Sequence, residues 1–372
     1  MNELYNLWKT KWNQIQNTPL PPFKQKKCNQ NEWQYVIQMH NESPFSVLKN
    51  LEDETWSGTS ISIPLMNQQK KKSKMTLFVW EPEGTHVEKE GMTNLIQMIQ
   101  WFHECFTFPN VEWKLNVVLS DEKKEIEKTI CSKDESCFLP KHVNSGVTVY
   151  YPDETFEIFI WRKEEGWKVL FHECFHALRM DSLLPSPNSQ ELETWYQMIP
   201  MKPKKWFLPQ EGIVEIGASF VSSLFDCPSL EKRSSRKNKI KVVSYQKWQQ
   251  KMKQEQFYVH YQLQNIFSLS PKSFLPFLLQ PHLPIIDSNR IQTHSSLFGY
   301  YFVRSAIYFQ WSIWKPIFLH HFLHSSFHPI HPSLITHSLQ NQSWIHFLQQ
   351  LNQFHQPLNH LSMKMTLFGN SF

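Results

Sequence analysis

Glycine is scarce in this chain, with 9 among 372 residues. Neither G-x-G-x-x-G nor G-x-x-x-x-G-K-[ST] occurs, and loops that cradle phosphates need backbone without side chains. The N-terminal segment, residues 1–17, also lacks the apolar stretch of a secretory signal. These absences argue against a nucleotide-dependent enzyme and against export, and they predict a cytoplasmic protein.

Closely spaced cysteine clusters and a strong net charge are missing as well. The chain has 6 scattered cysteines, and the spacing of the closest pair, Cys131 and Cys137, matches no common zinc site. The net charge is only +5, and the basic residues form short runs without interleaved aromatic residues. We therefore expect neither a disulfide framework nor a nucleic-acid partner.

Aromatic residues are abundant, with 28 Phe and 15 Trp, and 19% of residues are charged. Such a composition predicts a folded protein with a large buried core and excludes a disordered chain. One long apolar stretch, residues 295–314, carries Arg304 and Gln310 near its middle. A central Arg costs roughly 2.5–3.5 kcal/mol in a membrane, so the stretch predicts a buried helix and no membrane span.

The pattern of apolar residues predicts an α+β fold in three segments: 1–55, helical or irregular; 56–227, a lobe of strands and helices; and 228–372, helical with a His- and Gln-rich end. The predicted strands are 58–65, 75–82, 113–121, 143–151 and 156–161, and the last two form a hairpin. The predicted helices are 3–16, 94–106, 167–180 and 209–225.

The pentapeptide FHECF occurs twice, at 102–106 and at 171–175, and only the second copy is followed by a histidine, His176. Residues four apart on a helix share one face, with Cβ atoms about 5–6 Å apart. His172 and His176 therefore offer two imidazoles to one metal ion. His103, in the first copy, has no such partner.

Glu173 follows the first of these histidines directly and lies at the edge of the same face, where it can accept a proton from water. The helix around it is strongly apolar. Burying two imidazoles and a carboxylate there is costly unless a metal ion or a partner satisfies them. The alternative is a partly exposed helix that carries these residues by chance.

A catalytic zinc ion usually has three protein ligands. The metzincin pattern would need Gly at Arg179 and His at Ser182, and both are absent. The predicted helix 209–225 offers Glu211 and Glu215 instead, one turn apart on an apolar surface. We expect Glu211 to bind the metal and Glu215 to hold the other N–H of a ligand imidazole. Reversed roles, and a pair that faces solvent, remain alternatives.

HECFH at 172–176 together with QEGIVE at 210–215 resembles the gluzincins, zinc metallopeptidases in which HExxH is combined with a Glu ligand on the next helix. The resemblance covers about residues 143–225. It implies a zincin-like fold, with an N-terminal mixed or antiparallel sheet packed on the active-site helix and a mostly helical C-terminal lobe. Many gluzincins have an Asp four residues after the Glu ligand. No Asp stands four residues after Glu211 or Glu215 in this chain, so Glu215 would take the place of that Asp.

The segments RKEEGWKVLFHECFHALRMD, QEGIVEIGASF and GYYFVRSAIYF are also similar to uncharacterised metallopeptidase-like proteins of large DNA viruses. These resemblances imply one zinc ion, a peptide or protein substrate and Glu173 as general base. The alternative is a catalytically inactive zincin-fold protein with a binding or structural role. Glu173 argues against it, because a structural metal site needs no base.

Tyr300, Arg304 and Tyr308 form a stripe at helical spacing, and a phenol can donate a hydrogen bond to developing negative charge. We expect Tyr300 to stabilise the oxyanion, the alternative being core aromatic residues capped by an Arg. His320, His321 and His324 are other candidates, although their clustering fits compositional bias.

Gly146 and the alternating pattern of 143–151 predict a strand at a sheet edge, to which an extended peptide can add.

Overall fold

The computed structural model describes residues 1–20, 23–42, 51, 55–66, 72–83, 87–106, 111–127, 140–198, 201–203, 208–230, 239–269, 291–293, 298–324, 329–352 and 360–362. Within these ranges the fold is mixed α/β. A mixed sheet is built from the N-terminal half of the chain, and the C-terminal region is helical.

The described strands are β1 (Gln25–Lys27), β2 (Trp56–Met66), β3 (Lys72–Pro82), β4 (Trp113–Val118), β5 (Glu125–Glu127), β6 (Gly146–Tyr150), β7 (Phe156–Ile160), β8 (Met201–Pro203), β9 (Phe225–Asp226), β10 (Lys241–Val242), β11 (Ile291–Thr293) and β12 (His360–Ser362). Six of them form the main sheet, in the order β1-β2-β3-β4-β7-β6. The others pair two by two, β5 with β12, β8 with β11 and β9 with β10.

The main sheet is parallel in its centre and antiparallel at both ends. β3, β4 and β7 run parallel, whereas β2 is antiparallel to β3 and β6 is antiparallel to β7. β7, with the sequence FEIFI, is buried along its whole length, as expected of a strand covered on both faces. Among the described strands β6 lies at the end of the sheet, which confirms the predicted edge position and the predicted hairpin.

The α-helices span Asn2–Asn17, Gln30–Glu42, Lys89–Cys105, Pro140–Val143, Gly166–Ala177, Ser189–Met198, Gln210–Ser222, Tyr245–Leu269, Arg304–Phe309, Trp311–His324, Ser333–Leu339 and Gln342–Asn352. A 3₁₀ helix spans Met180–Leu183 and a π-helix spans Phe298–Val303. We call Gly166–Ala177 the HECFH helix and Gln210–Ser222 the QEGIVE helix. All four predicted helices are confirmed, with ends that agree within three residues except that the helix predicted at 94–106 begins five residues earlier, at Lys89.

The predicted buried helix at residues 295–314 is interrupted. In its described part, a π-helical turn leads into Arg304–Phe309, and a new helix begins at Trp311. Arg304 is fully buried. None of the described helices has the length and apolar character needed to cross a membrane.

One hydrophobic core draws on all three predicted segments, from Leu4 to Leu348. The two FHECF copies pack against each other within it. The Phe102 ring lies 5.9 Å from Phe171 and 5.0 Å from Phe175, centroid to centroid. The first copy therefore has a packing role, since its aromatic residues help to hold the HECFH helix in place.

Candidate metal centre

Two imidazoles of the HECFH helix converge. His172 Nε2 and His176 Nε2 are 3.1 Å apart. His172 is buried, and the His176 side chain is 17% exposed. The helical spacing brings the two rings onto one face, as the sequence predicts, and that face looks towards the QEGIVE helix.

A carboxylate from the QEGIVE helix completes the group. Glu211 Oε2 lies 3.3 Å from His172 Nε2 and 3.4 Å from His176 Nε2. This oxygen is buried and makes no hydrogen bond to any described residue. A buried carboxylate oxygen without a hydrogen bond is costly. Ligand atoms of all three residues lie within 4.8 Å of one another, so this group can hold a metal ion.

Glu215 fixes the chemical form of His172. Its Oε2 lies 2.8 Å from Nδ1, on the side of the ring away from Glu211. A proton on Nδ1 donated to this carboxylate leaves the Nε2 lone pair facing Glu211. Burial lowers the pKa of His172 to about 3, which keeps the imidazole neutral. At His176 burial lowers the pKa, but the negative charge of Glu211 outweighs burial and raises it to about 9. A divalent cation can take the place of that proton, because two imidazole nitrogens and a carboxylate oxygen converge here.

Buried cations hold Glu215 in turn. Lys168 Nζ forms an ion pair with Glu215 Oε1, and Arg304 Nη1 lies 3.3 Å from the same oxygen. Arg304 also donates hydrogen bonds to Glu255 at 2.6 Å and to Ser219 at 2.7 Å. All four charged side chains are at most 1% exposed. Basic and acidic side chains lie side by side in this cluster, which makes its burial tolerable, and burial lowers the pKa of Lys168 well below its usual range.

The edge strand β6 positions Glu173. Thr148 Oγ1 lies 2.9 Å from Glu173 Oε2 and 3.0 Å from the main-chain oxygen of Glu173. A Cβ atom at Gly146 would come within 2.7 Å of Glu173 Oε1 and 2.9 Å of Val169 Cγ1. Only glycine allows this close approach of strand and helix. Burial raises the pKa of Glu173 to about 7, the range that suits a proton acceptor at neutral pH.

These residues border a cleft of about 650 Å³. Its lining includes the three candidate ligands and Glu173; the β6 residues Gly146, Val147, Thr148 and Tyr150; and Arg179, Asp181, Leu184, Leu208, Gln210 and Tyr300. The candidate ligands, the candidate base and the edge of the sheet thus share one open space. That arrangement can present an extended chain to the metal centre.

Tyr300 reaches the cleft from the π-helical turn. Its ring centroid lies 5.9 Å from that of His172. Burial, and then the charges of Glu211 and Glu173, raise the pKa of Tyr300 well above its usual range, so the phenol stays a hydrogen-bond donor. The turn packs tightly on the QEGIVE helix, since a Cβ atom at Gly299 would lie 2.8 Å from Glu211 Cβ. π-Helical turns occur frequently at functional sites.

Comparisons with protein-family models, with curated proteins and with solved structures gave no match.

Other sequence candidates lie elsewhere. Arg304 is behind Glu215 in the ion cluster and does not line the cleft. His320 and His324 are exposed on the helix Trp311–His324, and His321 is buried there. His103, in the first FHECF copy, is buried with Nε2 3.3 Å from Ser73 Oγ. These histidines do not take part in the centre.

Sequence reasoning missed the residues that support the centre, namely Thr148, Lys168 and Glu255. A weak signal existed for Lys168, which stands four residues before His172 and therefore on the same face of the helix as the two histidines. Glu255 has no such signal, because it approaches Arg304 from a helix that is distant in the sequence.

Proposed function

We propose that this chain is a zinc-dependent peptidase, with His172, His176 and Glu211 as zinc ligands and Glu173 as general base. The observation that carries the proposal is the convergence of two imidazole Nε2 atoms on a buried Glu211 oxygen that has no hydrogen bond within the described part of the chain. Two histidines and one carboxylate match the ligand set of hydrolytic zinc sites, which leave one position open.

A bound zinc ion would supply Lewis-acid chemistry, by activating water and polarising a carbonyl group. Glu173 supplies the base. Its carboxylate is next to the ligands in the same cleft, and the Thr148 hydroxyl directs one oxygen, leaving the other for water. We infer that Glu173 accepts the proton of the attacking water and delivers it to the leaving nitrogen.

Tyr300 and β6 have roles in the same proposal. The Tyr300 phenol, protonated and facing the cleft, donates a hydrogen bond to the oxyanion as it forms. Among the described strands none pairs with the outer edge of β6, and an extended peptide would add to the sheet there, beside Glu173. A peptide or protein is therefore the substrate class that fits the cleft.

We also propose that the fold is zincin-like. Three observations support this: the mixed sheet ends in an antiparallel edge strand, the HECFH helix packs on that strand through Gly146, and the third candidate ligand comes from a later helix, beyond the intervening helix Ser189–Met198. The helical C-terminal region adds Tyr300 to the other side of the cleft.

The test compares Glu173→Gln with Glu104→Gln, the same substitution in the first FHECF copy. Both proteins are loaded with zinc and incubated with a peptide library, and cleavage is measured by mass spectrometry. Loss of the base predicts a fall in cleavage rate of about 10²- to 10⁴-fold for Glu173→Gln, with zinc still bound, whereas Glu104→Gln cleaves like the parent protein. Equal rates in the two variants would refute the role of Glu173.

The inactive zincin-fold alternative gives another outcome in the same experiment. A binding or structural protein would take up zinc through the same three ligands but would cleave no peptide in its parent form. Zinc binding without any cleavage that depends on Glu173 would therefore favour that alternative.

A further inference from the structure

Arg179 projects into the cleft just beyond the candidate ligands. It lies three residues after His176, is exposed, and lines the same cleft as Glu173 and Glu211. Its guanidinium carbon lies 3.5 Å from the centroid of the Tyr150 ring. A cation is thus held at a fixed place on the wall of the cleft, over an aromatic ring of the edge strand.

The stacking leaves the hydrogen-bond donors of Arg179 available. A guanidinium is planar and carries its five N–H donors around its rim, so a ring that covers one face leaves that rim open. Among the described residues, Arg179 makes no ion pair, and Asp181, which lines the same cleft, is not within ion-pair distance of it. The rim is therefore suited to bidentate contact with a carboxylate.

The backbone shows that the position is constrained. Arg179 has a φ of 59°, in the left-handed region that favours glycine. Its N–H donates to His176 O at 2.7 Å, and the Tyr150 hydroxyl donates to the same oxygen. Arg179 and Tyr150 are thus both tied to the end of the helix that carries the ligands. A side chain at a strained backbone position beside a reactive centre points to a functional role.

We propose that Arg179, stacked on Tyr150, binds a carboxylate of the substrate, so that the enzyme prefers peptides with a negative charge close to the bond that is cleaved. This inference rests on the proposed peptidase function. The carboxylate comes either from an Asp or Glu side chain or from a free C-terminus, and the chemistry of recognition is the same in both cases.

The experiment uses two synthetic peptide libraries of the same sequences, one with free and one with amidated C-termini. The zinc-loaded parent protein is compared with Arg179→Gly, Arg179→Glu and Arg179→Lys, and cleavage sites are identified by mass spectrometry. Gly accepts the left-handed backbone, so Arg179→Gly removes the cation without straining the turn. Zinc content and melting temperature are measured for each variant.

For the parent protein we expect acidic residues to be enriched at one fixed position relative to the cut in both libraries, or cleavage that requires a free C-terminus. In Arg179→Gly the ratio of kcat/KM for acidic over neutral peptides should fall about tenfold or more. Arg179→Lys should restore part of this preference, and Arg179→Glu should shift it towards basic residues.

Two results would overturn the inference, and they are distinguishable. Cleavage that depends on Glu173 but shows no preference for a carboxylate, or a preference that survives in Arg179→Gly, refutes the role of Arg179 and leaves the peptidase proposal standing. Absence of any cleavage that depends on Glu173 refutes the peptidase proposal and this inference together.

Discussion

Glu215 Oε2 lies 2.8 Å from His172 Nδ1, while Glu211 Oε2 lies 3.3 Å from Nε2 of the same ring. One imidazole is thus held between two carboxylates of the QEGIVE helix that stand one turn apart. Glu215 also faces Lys168 and Arg304, and these contacts fix the position of its carboxylate. Glu211 instead faces the Nε2 atoms of both histidines, and on this difference we propose Glu211 as the metal ligand and Glu215 as the residue that orients His172.

Glu215→Gln should weaken zinc binding. Removing a carboxylate that orients a ligand imidazole typically costs 10- to 100-fold in metal affinity, and we expect a loss of about that size. The free energy of unfolding should also fall, because Lys168 and Arg304 lose an anionic partner in a buried cluster. Zinc affinity is measured by competition with a chromophoric chelator.

Glu90→Gln, which removes an exposed carboxylate, is the matched control and should bind zinc like the parent protein. If Glu215→Gln keeps the parent affinity, then Glu215 does not orient His172 and its contact with Nδ1 is only structural.

Gly146→Ala should impair Glu173 while leaving zinc bound. The added methyl group would meet Glu173 Oε1 at 2.7 Å and Val169 Cγ1 at 2.9 Å, so either the strand or the carboxylate must shift. Overpacking of this kind costs about 1–3 kcal/mol, and a displacement of about 1 Å at a catalytic group costs ~100-fold in rate. The measurement is kcat for peptide cleavage together with zinc content.

Val149→Ala on the same strand serves as the control, because it removes a side chain that packs away from Glu173. If Gly146→Ala keeps the kcat of the parent protein, then the strand and the helix can move apart without displacing Glu173, and the close approach at Gly146 is not needed for activity.

His260 should make the protein less stable in acid. It is 7% exposed, with Nδ1 2.7 Å from Ser305 Oγ. Burial lowers the pKa of His260 from 6.5 to about 4. Below pH 6.5 the unfolded chain therefore binds a proton that the folded chain does not. The free energy of unfolding should fall as the pH drops from about 6.5 to 4, by up to roughly 3 kcal/mol from this residue.

Urea unfolding at several pH values tests this prediction, with His260→Gln beside the parent protein. The variant should lose less stability on acidification, because Gln does not titrate. His324→Gln, which removes an exposed imidazole, is the control. If acid lowers the free energy of unfolding of His260→Gln as much as that of the parent protein, then His260 is already protonated in the folded state.

The local part of this structure follows from the sequence. The pair His172 and His176, the helix that carries it and the hairpin of β6 and β7 depend on residues close in the chain, where helical spacing and strand alternation decide the outcome. The two glutamates were predicted as a pair for the same reason. The spacing alone could not decide which of them faces Nε2, because that depends on how two helices pack.

The distant contacts could not be predicted. Arg304 was expected on a stripe with Tyr300, but the π-helical turn at Phe298–Val303 changes the rotation of the chain, so Tyr300 faces the cleft and Arg304 lies behind Glu215. For Thr148 the sequence predicts only a position on an edge strand. Its contact with Glu173 depends on how closely strand and helix pack, which Gly146 allows.

The zinc content of the purified protein tests the central claim most directly. The protein is dialysed against a weak chelator, and zinc per chain is determined by mass spectrometry for the parent, His172→Gln, His176→Gln, Glu211→Gln and His103→Gln. We predict one zinc ion per chain in the parent and in His103→Gln, and loss of that ion in the other three variants. X-ray absorption spectroscopy of the parent protein should show two imidazole ligands on the zinc. A parent protein that retains no zinc, or variants that retain it, would contradict the account.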